Sequence, residues 1–356
     1  MVGRGRRGAL GRWSASLALV GVLVGCAVRG VDGPAEETGS ATTGGPTVPG
    51  AVALPTAGLG SPTASASTGT GTAVVRPGAS AGRTRPGGRP AVASLPRGGR
   101  TIFPEYRLVG YSGGPGTAAF GRLGVGRIDD RVREIERLGR QYRSGRRVLP
   151  VLELITVVVQ ARPGRDGRYR TRVDAAVVRD YLAAARRHRA LLLLNVQPGR
   201  ARFIDEVRAL EPWLRQPDVG LALDPEWAVR AGQVPGEVFG STTGAELDRV
   251  SAYVDAVVRR HRLPQKALVV HQLAPKVVRD LGRLRARPGV AVVKSVDGIG
   301  SPGAKVSTWR RLVQGLPKPV HAGFKLFYEE DARSGRVMTP REMLALRPTP
   351  EYVLYE

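Results

Sequence analysis

One cysteine, Cys26, stands among 356 residues. A chain with a single thiol forms no disulfide within itself, so nothing in this fold is stapled. Lysine is almost as scarce: 6 of the 55 basic residues are lysine, none before Lys266, and the other 49 are arginine. The four histidines (188, 261, 271, 321) share no ligand spacing, and no metal site is expected. His188 and His261 fall at the ends of helical patterns, where a cation complements the helix dipole. No G-x-G-x-x-G or G-x-x-x-x-G-K-[ST] follows the first strand-like run. YSGGPG (111–116) lacks the lysine and spacing of a phosphate loop and reads as a turn, so no cofactor is expected. No G-x-S-x-G elbow follows a strand-like run either.

Acidic residues are also few, 30 against 55 basic, giving a formal charge of +25. Such a balance suits nucleic acid. Here it is read otherwise, because the excess is arginine beside abundant Gly, Ala, Val and Pro, the coding bias of a GC-rich genome. The arginines are scattered beside Glu and Asp along helical patterns. No nucleic-acid partner is expected; anionic wall polymers or lipid headgroups are the fitting counter-charges.

The amino terminus, MVGRGRRGALGRWSASLALVGVLVGCAVRG, places Arg4, Arg6, Arg7 and Arg12 before an apolar stretch from Ser14 to Val24. That is the layout of a secretory signal, too short for a comfortable membrane span. Leu23-Val24-Gly25-Cys26 resembles the lipobox of bacterial, in particular actinobacterial, lipoproteins. The resemblance implies that residues 1–25 are removed, that Cys26 is lipidated, and that the rest lies outside the cytoplasmic membrane, anchored to its outer face. Residues 26–100 are Gly, Pro, Ser, Thr and Ala with almost no large apolar side chain. Such a stretch buries too little surface to offset its ordering entropy and is expected to be a disordered tether.

From residue 101 to 356 the composition suits one large domain. Eight apolar runs alternate with helical patterns: 107–112, 148–154, 190–196, 219–224, 266–272, 290–296, 320–328 and 351–355. Seven helices are expected between them: 127–143, 173–188, 202–214, 243–261, 275–286, around 307–313, and 339–346. Asp174 reads as an N-cap, and Thr243/Glu246 and Thr339/Glu342 have capping-box spacing. Short runs, apolar on both faces and separated by helices, predict parallel strands in right-handed βαβ units. Eight units predict a (β/α)8 TIM-type barrel lacking its last helix, with an open doubly wound sheet as the alternative.

In such a barrel the carboxyl ends of the strands carry the site. The candidates there are Tyr111, Glu153, Asn195 and Gln197 on the first three runs. The next three runs offer Asp224, Glu226 and Trp227, then His271 and Gln272, then Asp297. Lys325 and Tyr328 follow on the seventh. LALDPEW (221–227) draws the eye, with two carboxylates two residues apart and an aromatic ring beside them. On an extended chain, alternation would put Asp224 and Glu226 on one side. Like charges held close raise one pKa and leave a proton donor at neutral pH. That chemistry, with Tyr111, Trp227 and Tyr328 as ring platforms, suits glycoside hydrolysis.

The stretch resembles the Asp-x-Glu ending of the fourth strand in chitinase-like and lysozyme-like (β/α)8 glycosidases. The resemblance covers about four residues and the general rhythm. It implies that Glu226 is the acid and Asp224 its helper at an acetamido group. From their places at strand ends, Glu153 and Asp297 are further candidate partners. The chain departs from the longer acidic signature, since Gly220, Ala222 and Pro225 stand where acids would be. The expected function is hydrolysis of an envelope glycan, with a non-catalytic carbohydrate- or wall-polymer-binding lipoprotein as the alternative.

Overall fold

The computed structural model describes residues 93–356. The signal segment, Cys26 and the tether up to residue 92 lie outside the described residues. Eight parallel strands form the fold: β1 (Tyr106–Gly113), β2 (Arg147–Val159), β4 (Leu191–Val196), β5 (Val219–Leu223), β7 (Lys266–Gln272), β9 (Val290–Val296), β10 (Val320–Leu326) and β11 (Tyr352–Tyr355). Each pairs with the next. The ring closes where β1 pairs with β2 on one side and with β11 on the other. This is the expected (β/α)8 barrel, and closure excludes the open sheet. Three short strands decorate it. β3 (Arg170–Arg172) runs antiparallel to the far end of β2, and β6 (Thr242–Thr243) pairs with β8 (Val278–Arg279).

Most expected helices form, and side-chain caps mark the start of several of them. Ile128–Arg140 and Ala175–Arg187 follow β1 and β3, and Asp174 caps the second by accepting from Ala176 N at 2.7 Å. The expected helix over 202–214 is two, Phe203–Ala209 and Glu211–Leu214. Pro212 in the second cannot donate a backbone hydrogen bond, so one ladder does not run through. Thr243 caps Gly244–His261, and the full capping box of Thr339 and Glu342 opens Pro340–Ala345. The helix near 307–313 begins earlier, at Pro302, with Ser301 as N-cap. A further helix, Tyr328–Arg333, follows β10.

The α-helix expected over 275–286 does not form. Val278–Arg279 pairs as a strand, Asp280 adopts the left-handed region (φ 53°), and only single 3-10 turns flank it. The buried Gln272 amide donates to the carbonyls of Ala274 (3.0 Å) and Pro275 (3.3 Å), holding the loop against the strand it leaves. Side-chain bonds of this kind compete with helical ladders.

The start of the domain also differs from expectation. Residues 93–100, assigned to the tether by composition, belong to the barrel. Leu95 is buried with Ile102 and Tyr106 at the amino-terminal end of the barrel. Arg97 donates to Glu136 Oε1 (2.8 Å) and to the carbonyls of Arg189 and Val148. One leucine and one arginine among small residues are too faint a signal for a compositional reading.

Two cores result. The larger lies between strands and helices. The smaller fills the barrel itself: Leu149, Val151, Leu191, Leu193, Ala222, Ala267, Val269, Ala291, Val293, Tyr352 and Leu354. Because side chains alternate, the next inward position toward the carboxyl ends is Glu153 on β2 and Asn195 on β4. On β7 and β9 it is His271 and Ser295, and Asp224 follows β5 directly. The apolar layers therefore carry a polar layer on top.

Candidate active site

The polar layer is a connected network. Asn195 Nδ2 donates to Glu153 Oε1 and to Asp224 Oδ1, both at 3.0 Å. Gln197 Nε2 donates to Asp224 Oδ2 (3.2 Å), while its Oε1 accepts from Val159 N. Tyr352 reaches across from β11, its hydroxyl donating to Glu153 Oε2 at 2.5 Å. A Cβ on Gly323 would lie 2.8 Å from Val293 Cγ1 and 3.0 Å from Tyr352 Cδ1, so glycine at 323 makes room for this ring. His271 Nδ1 sits 2.7 Å from Asp297 Oδ2, and its Nε2 is 3.0 Å from Glu153 Oε1, off the line of a hydrogen bond. Ser295 Oγ donates to Asp297 Oδ1 (2.7 Å). Lys325 Nζ bonds Glu356 Oε2 (2.6 Å) and stands 3.7 Å from Asp297.

Above this layer opens a cavity of about 350 Å³. Asp224, Glu226, Asp297, Lys325 and Gln197 form its polar side; Phe120, Trp227, Phe239 and Phe327 supply aromatic walls. The DPEW stretch reaches it by a route the alternation argument did not foresee. The extended chain ends at Asp224, and Pro225–Trp227 is a 3-10 turn with Pro225 at its first position. Proline's fixed φ suits that turn. Gly240 N bonds the Glu226 carbonyl (2.6 Å) and Trp227 packs on Val159 and Phe239. Asp224 and Glu226 thus share one cavity from two different backbone states. Glu226 Oε2 is buried with no hydrogen-bond partner.

The electrostatics separate the carboxyls. Burial pushes Glu226 well above the ordinary range, and the charges of Asp224 and Asp297 push the same way. Asp224 is also raised, by burial against the pull of His271 and Lys325. Burial would raise Asp297 and Glu153 too, but the cations win. His271 and Lys325 hold Asp297 low, and His271 foremost does so for Glu153. His271 is itself raised well above its usual value: burial opposes the charge, and Asp297, Glu153 and Asp224 outweigh it. Lys325 is held charged against burial by Glu356, Asp297, Asp224 and Glu153. The cavity therefore pairs a carboxyl biased toward its protonated form, Glu226, with one biased toward its ionised form, Asp297.

The structure gathers some expected residues and separates others. Asp224, Glu226, Trp227, Gln197, Asp297 and Lys325 line the cavity. Glu153, Asn195 and His271 lie beneath it, fully buried, as supports. Gln272 bonds loop carbonyls. Tyr111 points out of the barrel and meets Tyr328 (hydroxyls 3.3 Å apart) and Tyr355 in an aromatic cluster. Tyr111 and Tyr328 line a neighbouring hollow that shares Ala119 and Glu356 with the main cavity. Alternation explains this, since Leu108 faces inward and Tyr111 has the opposite parity.

Sequence reasoning missed Tyr352, Ser295, Phe239 and Lys276. The signal for Tyr352 was parity: two steps inward from it is Leu354, and then Glu356. Among the described residues, no group of three or more His, Cys, Asp or Glu is arranged to hold a metal ion, and no helix is long and apolar enough to cross a membrane. No protein-family model matches the chain, and no curated protein matches it.

Proposed function

We propose that the barrel is a glycoside hydrolase acting on a cell-envelope glycan, carried on the outer face of the membrane by a lipid on Cys26. The observation that carries the reaction is the pair Glu226 and Asp297. They line one cavity, and their surroundings drive their protonation in opposite directions. Glu226, whose carboxyl keeps its proton to higher pH than an ordinary glutamate, gives that proton to the departing glycosidic oxygen. Asp297, kept ionised by His271 and Lys325, faces the developing positive charge at the sugar carbon as nucleophile or as base toward water. Asp224, fixed by Asn195 and Gln197, orients a substituent beside the cleaved bond. Glu153 acts through His271 and Asn195 without touching substrate. Trp227, Phe239 and Phe120 offer apolar faces to sugar rings.

The test is release of soluble sugar from isolated cell-wall material by the full chain, beside the Glu226→Gln variant. Release by the parent alone supports the proposal. Equal release by both removes Glu226 as the acid. Saturable binding with release by neither makes the protein a carbohydrate-binding lipoprotein.

A further inference from the structure

The acids of the cavity are on its floor; its exposed edge is basic. Lys276, on the loop after β7, and Arg311, on the helix Pro302–Val313, both line the cavity and are both exposed. Neither has a carboxylate within ion-pair distance among the described residues, although most carboxylates here sit against an arginine. Lys276 Nζ is poised 5.0 Å from the centre of the Phe239 ring, so its ammonium is propped on an aromatic wall rather than loose in solvent. Thr308 lies one turn before Arg311 on the same helix face and also lines the cavity. Its closeness depends on Gly298, where a Cβ would come within 2.8 Å of Thr308 Cγ2. A guanidinium, a hydroxyl and a supported ammonium thus stand above a floor holding Asp224, Asp297 and Glu226, with Lys325 paired to Glu356 beside them.

We propose that the cavity is built for an acidic saccharide, whose carboxylate is held at the rim by Arg311, Thr308 and Lys276. This rests on the glycosidase reading and names its substrate class. The charge arrangement sets the orientation. The floor's one lining cation, Lys325, is already paired with Glu356 at 2.6 Å and stands 3.7 Å from Asp297, so a substrate carboxylate is drawn to the unpaired cations of the rim, which leaves the neutral ring and its glycosidic oxygen facing Glu226. Arg311 offers a planar fork that matches a carboxylate with two parallel hydrogen bonds. A neutral sugar would meet the three rim groups with hydroxyls alone and forgo the charge-assisted bonds.

Arg310 supplies the control. It is adjacent, equally charged and on the same helix, but it lines a different groove, with Met338 and Glu342. The experiment measures binding of oligosaccharides prepared from wall glycan, before and after amidation of their carboxyl groups, to the full chain carrying Glu226→Gln. The expected result is binding weakened by about tenfold or more on amidation, a loss equivalent to one good charge-assisted contact. Arg311→Ala or Lys276→Ala should weaken binding of the acidic form alone, and Arg310→Ala should change nothing. Equal binding of both forms, or equal weakening by Arg310→Ala and Arg311→Ala, overturns the proposal. Glu226-dependent sugar release would then still support the glycosidase. Absence of binding by either form overturns the proposal as well.

Discussion

A single amide nitrogen, Nδ2 of Asn195, donates to two carboxylates at once, Glu153 Oε1 and Asp224 Oδ1, each at 3.0 Å. It ties a support beneath the cavity to a group that faces it. Asn195→Leu removes both donors from buried charges. The expected loss is about 3–5 kcal/mol, as when one partner of a buried pair is removed, read from denaturant unfolding at pH 7. A loss under 1 kcal/mol would mean that Gln197 and His271 suffice.

Tyr352→Phe keeps the ring beside Gly323 and deletes only the hydroxyl that donates to Glu153. A hydrogen bond to a charged group is worth about 1.5–3 kcal/mol, and that is the destabilisation expected. Gly323→Ala should cost a similar amount by a different cause, overpacking against Val293 and Tyr352.

Glu226 links stability to pH. Its folded pKa stands above the ordinary 4.5, so the folded chain binds more protons than the unfolded chain between 4.5 and that raised value. Stability contributed by the protonated form is complete below 4.5 and falls as pH climbs through the window. Glu226→Gln should flatten that fall while cutting sugar release by about 10²–10⁴-fold, the usual worth of a general acid. Thermal melts across pH 4–8 for both proteins check the slope.

Lys266 does the reverse. Burial lowers it from 10.5 to about 7, with Asp218 opposing, while its Nζ donates to the carbonyls of Gln216 and Val219, both at 2.7 Å. Between pH 7 and 10.5 the unfolded chain binds the extra proton, so this group makes stability rise with pH over that interval. Lys266→Met should remove the rise in urea midpoints measured from pH 7 to 10.

The domain boundary yields a fifth prediction, read from denaturant unfolding of the two chains. A chain starting at residue 101 loses Leu95 from the barrel floor and the Arg97 hydrogen bonds. It should be less stable than one starting at 93 by about 2–5 kcal/mol, the range for emptying a buried leucine site.

All eight strands were legible because each is a short apolar run buried on both faces, and three of the intervening helices carried readable caps at Asp174, Thr243 and Thr339. Asp174 and Thr339 mark their helices in the sequence as clearly as in the structure. Residues 275–286 misled because Val277, Val278, Leu281 and Leu284 have helical spacing, while a distant pairing with Thr242 and the amide of Gln272 decides their conformation. Glu226 was legible as a residue but not as a geometry. Its side chain enters the cavity from a turn, and no periodicity describes a turn. Lys276 and Arg311 were illegible among so many basic residues. Only the three-dimensional placement of two helix and loop positions around one opening distinguishes them from their neighbours.

The seam between β1 and β11 sets Leu108 beside Tyr352, nearly the full length of the domain apart in sequence. Every other barrel pairing joins strands that are neighbours along the chain. Closure therefore waits for the last strand to emerge. Until then Glu153 is without the hydroxyl of Tyr352, and the acidic layer stays open to water. Assembly would resemble a clasp, with a long search at low local concentration ending in one cooperative step.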